Sequence, residues 1–219
     1  MASYRLNREF LADAAEALGW GDADDLIRAL VPTQDKVRKG VLGEILACEA
    51  LTTFCGYEIP IRKLRFALTR NQSMPSTDVL GLRVVQGRVE EAAFVEAKLR
   101  TVMDLHVAAG AHEQLARDYS KRVPDMLVFV GQRLREEGHE LYGAFMEYLA
   151  SRRSAPLDAF HVFIVCDTDV WSEDALRRLD EVVPLLAPLT VSEVRVVQLQ
   201  RLVEEVFEGA GLEVAIADE

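Results

Sequence analysis

The sequence predicts an α/β domain with a mixed central sheet flanked by helices. Three observations lead there. Stretches with apolar residues at three- and four-residue steps alternate along the chain with short apolar runs of strand length. Two of those runs, 78–85 and 92–99, flank Gln86-Gly87-Arg88, a turn signal that makes them an antiparallel hairpin. Beyond residue 108 helical patterns alternate with two further strand patterns, the order expected when helices cover a sheet.

Each element follows from its residues. Leu6, Phe10, Leu11, Ala14 and Leu18 space a helix over 5–18, and Gly19 fits its stop. A short helix is expected at 23–30. Asp35 fits the cap of a longer helix over about 36–54, which ends before Gly56. Residues 57–66 read as extended, with Ile59 and Ile61 around Pro60, and 69–77 as a polar loop. After the hairpin, 108–122 reads as a helix, with Pro124 starting a new segment, and 139–151 as another. His161-Val162-Phe163-Ile164-Val165-Cys166 is an apolar run of the kind found in buried strands. Ser172 fits a cap for a helix through about 183, 191–199 alternates as a strand, and 200–208 closes with a helix. No internal repeat, low-complexity stretch or linker interrupts the 219 residues, so one domain is expected.

Composition narrows the function. No run of about eighteen uncharged apolar residues occurs, so no membrane helix is expected. The start of the chain lacks the apolar region of a signal peptide, and a cytoplasmic location is expected. Cys48, Cys55 and Cys166 lie in apolar surroundings without CxxC spacing, which suits buried thiols. The net charge of −11 opposes tight unaided binding to nucleic acid. The charge is uneven, however. Residues 36–70 hold seven Lys/Arg against three Glu, whereas 125–219 hold eight Arg against nineteen Asp/Glu. A local phosphate-binding surface is therefore compatible with the acidic whole.

The basic stretch precedes the most informative residues. Glu96-Ala97-Lys98 lies within an apolar strand, and Asp78 opens the strand paired with it. Strand alternation puts Glu96 and Lys98 on one face and Val95, Ala97 and Leu99 on the other. The hairpin lets Asp78 approach Glu96. Two such carboxylates repel unless a cation joins them, and oxygen ligands of this kind suit Mg²⁺ or Mn²⁺. The backbone carbonyl of Ala97 is expected as a further oxygen ligand. Glu44 lies on the stripe formed by Val37, Val41, Cys48 and Leu51, so it is expected to reach the same site directly or through water. Lys98 is then placed to orient a water or neutralise a phosphate oxygen. Lys63, Arg65, Arg70, Arg100 and Gln114 are candidates for contacting the nucleic-acid backbone.

With these residues assembled, the chain resembles the PD-(D/E)xK nuclease superfamily, whose core runs helix, three strands, helix, strand. The resemblance covers roughly residues 36–166. It implies that Glu44 matches the acid of the first core helix, Asp78 that of the second strand, and Glu96-x-Lys98 the third-strand motif. Ser76 and Thr77 separate Pro75 from Asp78, a departure at a position that varies in the superfamily. On this reading 1–35 is a helical extension, 36–166 the catalytic core and 167–219 a helix–strand–helix addition. A narrower resemblance rests on Gly43-Glu44-Ile45-Leu46, Pro60-Ile61-Arg62-Lys63-Leu64-Arg65-Phe66, Thr77-Asp78-Val79-Leu80-Gly81 and Glu96-Ala97-Lys98. These strings are similar to the HamA-type effector nucleases of the Hachiman antiphage defence system. That resemblance implies a DNA substrate, a helicase partner and catalysis by Glu44, Asp78, Glu96 and Lys98. The acidic C-terminal half would then be available for docking the partner.

Other chemistry is poorly supported. His112-Glu113 begins like HExxH, but Ala116 ends the match. Gln114 and Tyr119 are five apart, not the four of a Gln-x-x-x-Tyr motif. No Walker loop, GxGxxG or GxSxG string occurs. The alternatives to a partnered nuclease are a non-catalytic binding subunit with a nuclease-like fold and a stand-alone restriction-type endonuclease.

Overall fold

A computed structural model of the chain describes residues 31–66, 71, 77–152, 158–181 and 185–208, with isolated positions at 13, 15–17, 19 and 29. Most of the expected helices at 5–18 and 23–30 lie outside the described residues. Those described at 13, 15–17 and 29 are helical.

Helix α1 spans Asp35–Cys55 and buries Val41, Leu42, Ala47, Cys48 and Leu51. It ends where expected. Gly56 takes the left-handed conformation (φ 68°) and returns its N–H to the Leu51 carbonyl. Its cap position is Gln34 rather than Asp35, which is already helical and forms a 2.8 Å ion pair with Lys39 one turn on. The segment after α1 departs from the extended reading. Only Glu58 bridges to the sheet, exchanging two 2.8 Å backbone hydrogen bonds with Leu82. Pro60 lacks the N–H needed to carry a ladder further, and Lys63–Phe66 winds into a 3-10 turn.

Strands β1, Val79–Val85, and β2, Arg88–Arg100, form the hairpin. Positive φ at both Gln86 (50°) and Gly87 (77°) makes the two-residue turn that matches strand twist. Helix α2 follows at Val107–Glu136 and α3 at Tyr142–Ser151. Pro124 does not begin a new segment but lies inside α2. The buried stripe of Leu115, Val123, Met126, Leu127, Val130 and Leu134 runs through it, and packing on both sides keeps the helix continuous. Strand β3, Asp158–Asp167, pairs parallel with β2. Helix α4, Asp174–Asp180, starts later and ends sooner than expected, although Ser172 Oγ does accept the Asp174 N–H at 3.3 Å. Strand β4, Leu189–Val196, pairs parallel with β3, and α5 occupies Leu199–Glu208.

The sheet order is therefore β1-β2-β3-β4, with one antiparallel and two parallel pairings. Its two faces carry separate cores. Val79, Ala93, Val95, Leu99, Phe163 and Val165 pack against α1 and α5. Leu80, Leu82, Ala92, Phe94 and Phe160 pack against α2 and α3. Because α5 contributes Leu199, Val203 and Phe207 to the α1 core, residues 189–208 complete the main sheet and its covering layer. A buried polar cluster tightens the second layer. Asp158 accepts from Tyr148 at 2.6 Å, from Arg152 at 2.7 Å and from Tyr119. No helix among the described residues is long and apolar enough to cross a membrane.

Candidate active site

Strand length creates the site. β2 has thirteen residues and β1 only seven, and their pairing stops at Val79–Val95. Residues 96–100 of β2 continue alongside β3 with no β1 partner. The result is a notch at the sheet edge between α1 on one face and α2 on the other. It opens into a cleft of about 920 Å³ lined by Glu44, Asp78, Glu96, Ala97, Lys98 and residues of both helices.

Asp78 closes the ladder at this point. Its N–H donates to the Val95 carbonyl at 3.0 Å, and its Oδ2 accepts the Ala97 N–H at 2.8 Å. The side chain thus stands where the next β1 residue would have paired. The N–H and C=O of one strand residue leave on the same side, so the Ala97 carbonyl also points toward the notch.

Alternation along β2 works as the sequence implies. Val95 and Leu99 enter the α1 core, whereas Glu96 and Lys98 turn toward the α2 side. Glu96 is 4% exposed and pairs with the Lys98 ammonium, while Lys98 remains half-buried at the cleft. Burial pushes the Glu96 carboxyl up to about 7; the charge of Asp78 adds to the rise and Lys98 opposes it. Burial likewise raises Asp78, against the Ala97 hydrogen bond and the charges of Lys63 and Lys98. Both groups are thus disfavoured as anions where they stand.

Glu44 lies half-buried on α1 and lines the same cleft, but it approaches from the opposite face of the sheet to Glu96. Among the described residues no set of three or more His, Cys, Asp or Glu side chains converges to hold an ion. Asp78, Glu96 and the Ala97 carbonyl are the oxygens that fit a small hard cation. Two carboxylates with the remaining positions left to water or phosphate suit Mg²⁺, which gives up its water reluctantly.

The proposed backbone contacts divide. Lys63 is buried, donates to the Thr77 carbonyl and acts on Asp78 through its charge. Arg100 lines the cleft while pairing with Asp104 at 3.0 Å. Gln114 lines it from α2. The Arg65 side chain and Arg70 lie outside the described residues. His161 is a buried strand residue on the Ser192 hydroxyl at 2.8 Å, away from the cleft lining.

Asp118 is a cleft residue that motif reading passes over. It is buried, lines the cleft, and adds to the rise of both Asp78 and Glu96. Its signal lay in spacing: it follows Gln114 by one helical turn, where the sought partner was a tyrosine.

The HamA family profile matches residues 1–184, a stretch that contains the whole cleft. The chain belongs to the HamA family. The Hachiman protein HamA of Bacillus cereus is 32% identical to it over 112 residues. That alignment covers 51% of this chain and 39% of the relative, so the match spans well under half of that protein's length.

Proposed function

We propose that this HamA-family chain is the nuclease effector of a Hachiman-type antiphage system. It hydrolyses DNA phosphodiester bonds with Mg²⁺ or Mn²⁺ and acts with a helicase partner. The observation that carries the reading is the placing of half-buried Asp78 close enough to buried Glu96 for their charges to act on one another, with Lys98 beside them, where β1 stops and β2 continues. A fold gains nothing by placing two carboxylates together away from water unless a positive charge joins them. The likeness to the Hachiman protein HamA supports the defence role, and the PD-(D/E)xK pattern of Asp78 and Glu96-x-Lys98 supports the chemistry.

In this reading Asp78, Glu96 and the Ala97 carbonyl hold the cation, with Glu44 reaching it through water. Bound there, the cation would lower the pKa of a water and polarise the scissile phosphate. Lys98 orients the attacking water or neutralises a non-bridging phosphate oxygen. Its ion pair with Glu96 keeps the ammonium beside the cation ligands before substrate arrives. Lys63 favours the charged form of Asp78 from behind.

The test is cleavage of labelled DNA with Mg²⁺, with Mn²⁺ and with chelator, by the chain alone and with its helicase partner. Lys98→Ala should slow cleavage by about 100-fold or more while the fold persists. Absence of cation-dependent cleavage in both settings would overturn the reading. Undiminished function in Lys98→Ala would point instead to a non-catalytic binding subunit.

A further inference from the structure

Helix α2 brings a polar row into the cleft that the cation site does not use. Gln114, Asp118 and Arg122 follow one another at four-residue steps, so they share one helix face, and all three line the cleft. Asp118 is 4% exposed, and a carboxylate so buried is costly unless donors satisfy it. Two groups do so: Gln114 Nε2 donates at 2.6 Å, and Arg122 Nη1 forms an ion pair at 3.2 Å. Arg117 in turn donates to Gln114 Oε1 at 2.7 Å, which sets the amide with its NH₂ toward Asp118.

This arrangement places a third acid near two that already repel one another. Asp118 has its two carboxylate oxygens engaged by Gln114 and Arg122. What it supplies is a guanidinium anchored at one end. Arg122 gives Nη1 to Asp118, and its side chain is half exposed to the cleft. A guanidinium carries five N–H donors in a planar fork that matches phosphate oxygens. Of the other cleft cations, Lys98 is tied to Glu96, Lys39 to Asp35 and Thr101, Arg100 to Asp104 and Lys63 to the Thr77 carbonyl, whereas Lys36 is an exposed ammonium without the planar fork.

We propose that Arg122 contacts the phosphodiester backbone of the substrate strand and that Asp118 is the positioning residue that aims it. The proposal rests on the nuclease reading for its substrate class. It adds a phosphate contact on α2, across the notch from α1.

The experiment measures binding of the full chain to fluorescent single-stranded DNA of about twenty nucleotides, and to the matching RNA, over a salt series. A Lys98→Ala background suppresses cleavage, and thermal unfolding checks that each variant is folded. Arg122→Gln should weaken binding about five- to tenfold and reduce the slope of log affinity against log salt by about 0.7, the loss of one contact to a single strand. Arg122→Lys should keep the slope, because it keeps the charge. With Lys98 intact it should still cleave at least tenfold more slowly, because it loses the fork. Asp118→Asn should keep the slope and lower kcat more than KM. Unchanged affinity and slope in Arg122→Gln would overturn the proposal while leaving the nuclease reading standing. Should Arg122→Gln fail to fold, full cleavage by Arg122→Lys would overturn it instead. A wild-type chain that binds through Arg122 but never cleaves would overturn the nuclease reading alone. One that binds neither strand would overturn the proposal, and the cleavage test with the helicase partner would then decide the nuclease reading.

Discussion

Glu96→Gln should stabilise the metal-free protein at pH 8 far more than at pH 4. Glu96 is 4% exposed, and burial, reinforced by the charge of Asp78, lifts its carboxyl from 4.5 to about 7. Between those two values the native chain holds a proton that the unfolded chain has released. Stability therefore falls as pH rises from about 4.5 to about 7 and stays low above. At 1.36 kcal/mol per pH unit, the loss is about 3 kcal/mol. Glutamine resembles the protonated form and does not incur it. The stability difference between variant and wild type should therefore grow by about 3 kcal/mol between pH 4 and pH 8. Urea unfolding with chelator present, followed by circular dichroism at both pH values, reads this directly. Saturating Mn²⁺ at pH 8 should close the gap, because only the wild type keeps both carboxylates for the ion. A difference that stays constant with pH would refute the claim that Glu96 is held as an unfavourable buried anion.

Two further predictions concern the scaffold. His112 is fully buried with neither ring nitrogen hydrogen-bonded, so His112→Leu should stabilise the fold by about 1 kcal/mol in urea unfolding. Burial lowers the His112 pKa from 6.5, so the native histidine loses stability as pH falls below that value, and the advantage of leucine should widen at pH 5.5. Asp158→Ala removes the carboxylate that Tyr148, Tyr119 and Arg152 share and strands the Arg152 guanidinium. It should cost about 3 kcal/mol, read as a lower thermal midpoint, without altering the cleft residues.

Much of the site was legible because it depends on short-range periodicity. The two-residue period of β2 put Glu96 and Lys98 together, and the Gln86-Gly87 turn opened the hairpin, but a one-residue register shift between Arg83 and Val84, which the sequence did not signal, sets the pairing that brings Asp78 to Ala97. Glu44 was harder. Its stripe correctly turned it inward, but a helical period does not say which face of the sheet the helix will cover. Helix α1 covers the face opposite Glu96, so Glu44 meets the site only across the notch. Pro124 misled because a proline disfavours helix locally, whereas the apolar stripe on both sides is buried against one core. Lys63 read as a rim residue of an extended segment. The 3-10 turn instead buries it against Thr77. Asp118 carried only its one-turn spacing from Gln114, and tertiary structure was needed to separate it from a solvent-facing helical acid.

The proposed chemistry requires Asp78 and Glu96 to form one cation site at the end of β1. Titration with Mn²⁺ followed by electron paramagnetic resonance tests this without requiring cleavage or a partner. Wild-type protein should bind Mn²⁺ at pH 8, lose it as pH falls below about 7, and bind at least about tenfold more weakly when either Asp78→Asn or Glu96→Gln is introduced. Equal affinity in wild type and both variants would contradict it.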